Sequence, residues 1–78
     1  MELNKQPHLT ILYIGKAGDF FSRQAADFIL VHYPSAKIVY SCRQQPFPQE
    51  LLNWKGDLII SYLSQWIIPK ILLQNATL

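Results

Sequence analysis

The sequence is poor in cysteine, histidine and charge, and each shortage excludes something. Cys42 is the only cysteine, so no intrachain disulfide framework exists and a reducing, cytoplasmic compartment is the natural reading. His8 and His32 are the only histidines, and neither has a Cys, Asp or Glu at metal-ligand spacing, which leaves a zinc site without support. Charged residues make up 15% of the chain; seven basic and five acidic side chains, placed singly, give a net charge of +2. With no Lys/Arg run and no basic stripe, a nucleic-acid partner is not expected. No apolar stretch reaches the ~18 residues of a membrane span, and the polar start Met1 to His8 lacks the basic flank and apolar stretch of a secretory signal.

What the chain has is core-forming material. Half of its 78 residues are hydrophobic, which argues against disorder and implies more apolar surface than so short a chain covers alone. The expected organisation is a polar segment over 1–8 and one α/β unit over 9–78.

Leu9 to Ile14 is a short, almost continuous apolar and β-branched run closed by Gly15, the pattern of a strand buried on both faces. Asp19 or Ser22 can cap the helix that follows. Phe21, Ala25, Phe28, Ile29 and His32 fall on one expected face of it, and Pro34 should end it near Tyr33. Ala36 to Cys42 repeats the strand pattern and Arg43 to Pro48 breaks it off. Gln49 to Trp54 has room for one or two helical turns. Lys55-Gly56-Asp57 then turns into a third strand, Leu58 to Tyr62, and Pro69 opens a short helix ending at Gln74-Asn75.

Strands alternating with helices at these lengths predict a parallel β-α-β-α-β-α unit with right-handed crossovers. Three parallel strands provide only one interior position, whereas the apolar runs ask for neighbours on both sides. The sheet is therefore expected to be incomplete, with open edges available for self-association, and the helix ending at Asn75 should feed a further strand. The expectation is a truncated or partial domain.

Three groups of residues invite a functional reading. The turn Gly15-Lys16-Ala17-Gly18-Asp19 joins a strand to a helix, where N–H groups can hold an anion, but it matches neither Gly-x-Gly-x-x-Gly nor a Walker loop, and a plain tight turn accounts for it. His32 has no nameable nucleophile or carboxylate partner, and Ser22, Ser41, Ser61, Ser64 and Cys42 lack the context of a nucleophile. The third group is Ser61 to Pro69, a loop at what should be the carboxyl end of the sheet, where open α/β sheets bind ligands. Trp66 and Ile67 could flank a flat apolar ligand there, or Trp66, Ile67 and Ile68 could simply plug the end of the core.

At this third group the chain resembles the folate-dependent formyltransferases, which include glycinamide ribonucleotide transformylase, methionyl-tRNA formyltransferase and the sugar-nucleotide N-formyltransferases. The resemblance rests on an Asp-x-apolar-apolar strand, a loop and a proline-led short helix over Asp57 to Leu73. The wording Ile59 to Pro69 looks closest to the sugar-modifying branch, with Gln65 where proline is usual, and Gly15 to Phe21 fits the same branch. It implies the N-terminal part of a Rossmann-like formyltransferase fold, spanning about the front third of a typical member. The implied cofactor is 10-formyltetrahydrofolate and the implied partners are that folate and an amine acceptor. Carried over by position, Gln65, Trp66 and Ile67 would line the pterin pocket, largely through backbone contacts.

The family's Asn-x-His-Pro motif and later Asp, which polarise the formyl group and move the amine's proton, have no counterpart in this sequence. No catalytic residue is assigned, and the expected state is a partial formyltransferase inactive on its own. The alternatives are a non-catalytic interaction module that completes its sheet with a partner chain and a small nucleotide-binding regulator.

Overall fold

The computed structural model describes residues 9–77. Six elements follow in order: β1 (Ile11–Lys16), α1 (Phe20–His32), β2 (Lys37–Ser41), a 3-10 turn (Gln49–Asn53), β3 (Leu58–Ser61) and α2 (Lys70–Leu73). The three strands form one parallel sheet in the order β2-β1-β3. The polar segment expected over 1–8, with His8, lies outside the described residues.

β1 is the interior strand, and its composition explains why. Ile11, Leu12, Tyr13 and Ile14 are all fully buried or nearly so. Leu12 and Ile14 face one side and pack with Leu51 of the 3-10 turn and Leu72 of α2; Tyr13 faces the other and packs with Ala26 and Ile29 of α1. Alternating side chains thus feed two cores, one per face. Burial of each aliphatic side chain contributes roughly 1.5–3 kcal/mol, which makes this strand the largest single apolar asset of the chain.

Two local signals act as anticipated. Asp19 caps α1, its carboxylate accepting the Ser22 N–H at 2.8 Å, and the helix stops at Tyr33, immediately before Pro34. Others need correction. β1 does not close at Gly15: it runs on to Lys16, because Gly15 and Lys16 still pair with Tyr40 and Ser41 of β2. Pro69 stands one position earlier than expected, as the cap of α2 with extended ψ, and the helix begins at Lys70.

The buried face of α1 is also not the aromatic one. Ser22, Ala26 and Ile29 are buried, whereas Phe21 and Phe28 remain more than 60% exposed and His32 is exposed with its ring 4.5 Å from that of Phe28. The physical reason is the close approach of α1 to β1. A Cβ on Gly15 would collide with the Ser22 hydroxyl and come within 2.8 Å of the Tyr13 ring, so only small residues fit between helix and strand there. Gly15 is thus a packing glycine rather than a turn glycine; Gly18, with φ of +76°, is the turn glycine.

Candidate functional site

All three loops after the strands gather at the carboxyl end of the sheet, and the chain order sets where a ligand would sit. From β1 the chain crosses to β2 on one side, with α1 on one face of the sheet. From β2 it crosses to β3 on the other side, with the 3-10 turn on the opposite face. The connections reverse direction between β1 and β3, and open parallel sheets form their ligand crevice at such a reversal. The loop 62–69 leaves β3 at that point.

This loop is held by polar contacts to β2. Ser41, fully buried at the end of β2, donates its hydroxyl to the Gly15 carbonyl at 2.6 Å and accepts the Gln65 N–H at 2.7 Å. The Gln65 side-chain carbonyl accepts the Arg43 N–H at 3.0 Å. Trp66 donates its indole N–H to the carbonyls of Cys42 and Gln45, and its ring meets Phe47 edge-on at 5.4 Å. Ser64 bridges the loop, its hydroxyl accepting the Trp66 N–H at 3.1 Å.

The three residues that sequence reasoning placed in a pocket therefore have different situations. Gln65 and Trp66 use their polar groups to tie the loop to the segment after β2, and Trp66 packs partly against the core beneath Leu12 and Ile14. Ile67 projects outward, 93% exposed. Among the described residues the backbone N–H groups of Leu63, Ile67 and Ile68 have no hydrogen-bond acceptor. Leu63, with φ of 60°, is the only non-glycine residue there in the left-handed region. Sequence reasoning missed both Ser41 and Leu63, since a serine ending a strand and a leucine following one carry no local signature of these roles.

In the Gly15 to Asp19 turn, Lys16 to Asp19 line a separate open cleft of about 700 Å³, with Arg23, Asp27 and Tyr40 also on its walls. Its volume suits a small molecule. Its charges cancel, however, and some of the turn's donors are taken up internally: Ala17 N–H goes to the Ser41 carbonyl and Asp19 N–H to that of Lys16, while the N–H groups of Gly18 and Phe20 have no acceptor among the described residues. Gln65, Trp66 and Ile67 are not among the residues lining it.

Asp57, at the start of the Asp-x-apolar-apolar strand, sits at the opposite end of the sheet. Its carboxylate accepts the Thr10 N–H at 2.8 Å and its own N–H reaches the Thr10 carbonyl at 2.9 Å, which fixes the entry of β3 against β1. The described residues contain no group of His, Cys, Asp and Glu able to hold a metal, and no helix long and apolar enough to cross a membrane.

Compared with known proteins, the chain matches no family model, and no curated protein or solved structure shows significant similarity to it.

Proposed function

We propose that this chain supplies a folate-facing wall of a formyltransferase-type domain and that these 78 residues alone transfer no formyl group. The observation that carries the reading is the loop 62–69 at the β1/β3 reversal. Its middle is pinned by Gln65 and Trp66, while Leu63 before them and Ile67 and Ile68 after them keep backbone donors free. A pterin is flat and rich in ring nitrogens and a carbonyl, so an edge of free backbone N–H groups beside exposed apolar side chains meets its chemistry. The residues present can bind and orient such a group. The loop 62–69 itself carries no histidine or carboxylate to polarise a formyl carbonyl or to move a proton.

The nucleotide-regulator reading rests on the other cleft, where Lys16 and Arg23 are offset by Asp19 and Asp27, which leaves no net positive charge for a phosphate. The test is an amide NMR titration with 5-formyltetrahydrofolate, a stable analogue, beside an equal titration with ATP. Shifts confined to Leu63 through Ile68 with the folate, at a Kd of about 0.1–1 mM, are expected from so partial a pocket, equivalent to roughly 4–5.5 kcal/mol. No shift there at millimolar folate, or shifts at Lys16 to Arg23 with ATP, would sink the reading. Formyl transfer by the purified chain to an amino-sugar nucleotide would refute its second half.

A further inference from the structure

The two open edges of the sheet are not equivalent. Along β3 the backbone of Ile59 and Ser61 faces outward, but the entrance to that edge is occupied. Asn75 to Thr77 run parallel to Gly56, with Gly56 N–H on the Asn75 carbonyl at 3.2 Å and Thr77 N–H on the Gly56 carbonyl at 3.1 Å. Along β2 nothing comparable intervenes among the described residues. The Ser41 carbonyl accepts from Ala17 of the β1 side, so by alternation Lys37, Val39 and Ser41 face β1, and Ile38 and Tyr40 turn both N–H and C=O outward.

That edge is complementary to itself. Laid antiparallel on a second copy about a two-fold axis at Val39, Ile38 of each copy stands opposite Tyr40 of the other in a hydrogen-bonded pair. Each such pair exchanges two backbone bonds, so all four outward groups of each copy are satisfied. The same register sets Tyr40, 37% exposed, across from Ile38 of the second copy, an aromatic on β-branched pair, and brings no like charges face to face, since Lys37 meets Ser41. Ile38 and Val39 already belong to the two cores, Ile38 on the α1 face and Val39 on the opposite one. Pairing here extends both cores at once. The strand has no proline, bulge or inward charge guarding it, and its one lysine stands at its first position.

We propose that β2 is a self-pairing edge through which two copies of this chain join into one continuous six-stranded sheet. The occupant is a second copy because the two-fold register sets the strand's own side chains in matched pairs, Ile38 on Tyr40 and Lys37 on Ser41, with no charges of one sign opposed. This proposal is independent of what the loop after β3 binds.

The decisive test is site-directed disulfide trapping in a Cys42→Ser background. At the two-fold position the Cα atoms of Val39 and its copy lie about 4.5 Å apart in a non-hydrogen-bonded pair, within the ~4.4–6.8 Å that a disulfide spans. Val39→Cys is expected to give about tenfold more disulfide-linked dimer under mild oxidation than Lys37→Cys, off the axis, or Ile60→Cys on β3, as those separations predict. Sedimentation of the unaltered chain is the second arm, with an expected mass rising toward twice 9.0 kDa through the micromolar range. Tyr40→Pro removes an outward donor and no intrachain ladder bond, and should return the mass to that of one chain. A monomer at high micromolar concentration overturns the proposal. So does trapping that favours Ile60→Cys, or heteromeric pairing without self-pairing.

Discussion

Ser41 and Gln65 are joined across the full width of β1: the serine hydroxyl, held by the Gly15 carbonyl, receives the Gln65 N–H at 2.7 Å. One buried hydroxyl thereby links the ends of β1 and β2 to the loop that follows β3. Proline at position 65 would lack the N–H and could not make this bond.

Ser41→Ala should therefore cost more than an ordinary lost serine. It strands the Gln65 N–H in a partly buried place and withdraws one donor from the Gly15 carbonyl, for about 1–3 kcal/mol. In a chain of this size a loss of about 2 kcal/mol lowers Tm by roughly 10 °C. Gln65→Pro removes the same bond from the other end, and the double variant should be less destabilised than the two single losses combined, because they share one interaction. Urea denaturation of the four proteins measures this, and full additivity would show that the bond contributes nothing.

Gly15→Ala tests how α1 approaches the sheet. The added methyl meets the Ser22 hydroxyl and, at 2.8 Å, the Tyr13 ring. Both are buried and mutually hydrogen-bonded, with Tyr13 O–H donating to the Ser22 carbonyl at 2.8 Å, so neither can swing away cheaply. Overpacking of this kind costs about 1–3 kcal/mol. Gly18→Ala, where there is open space but φ is +76°, should cost about 1 kcal/mol through backbone strain alone. A shift of the Tyr13 ring resonances in the first variant and not the second would separate the two mechanisms.

The pH dependence follows from Tyr13. Burial, the largest cause, holds its hydroxyl above the usual tyrosine value of 10.0, the bond with Ser22 works against that, and charge on Tyr40, Tyr62 and Asp19 adds to it. The folded state thus keeps a proton that the unfolded chain releases. This share of stability is complete below about pH 10 and is lost as pH rises through the folded-state pKa. Denaturant midpoints taken from pH 8 upward should fall on the alkaline side. Tyr13→Phe should start about 1 kcal/mol lower, for want of the bonds to Ser22, and decline less steeply; an unchanged slope would place the alkaline loss elsewhere.

The strands, the cap at Asp19 and the stop before Pro34 were legible because each is written locally, in a run of β-branched residues or a single capping side chain. The face of α1 was legible at Ile29 and Ala25 but not at its aromatics. Phe21 and Phe28 sit at helical spacing and look like core, yet the face turned to β1 is that of Ser22, Ala26 and Ile29, with the small Ser22 set by Gly15 and Tyr13 from a different element. The site was half legible. Ser61 to Pro69 announced a loop at the carboxyl end of the sheet, but its anchoring depends on Ser41 and Cys42, some twenty residues away, and no spacing rule connects them.

Leu63 provides the test that joins stability to binding. A leucine in the left-handed region costs about 1–2 kcal/mol, and here the side chain offsets little of that, being 48% exposed. Glycine adopts the same backbone without strain but gives up roughly 0.5–1 kcal/mol of unfolded-state entropy, so Leu63→Gly should stabilise the chain by up to about 1 kcal/mol. Leu63→Val, which stiffens the backbone further, should destabilise it. Strain retained at the rim of a crevice has a use if the conformation aims groups at a ligand. On that reading Leu63→Gly raises Tm while weakening the folate-dependent shifts at Ile67 and Ile68. A variant that gains stability and binds as before would leave Leu63 a feature of the loop's path alone.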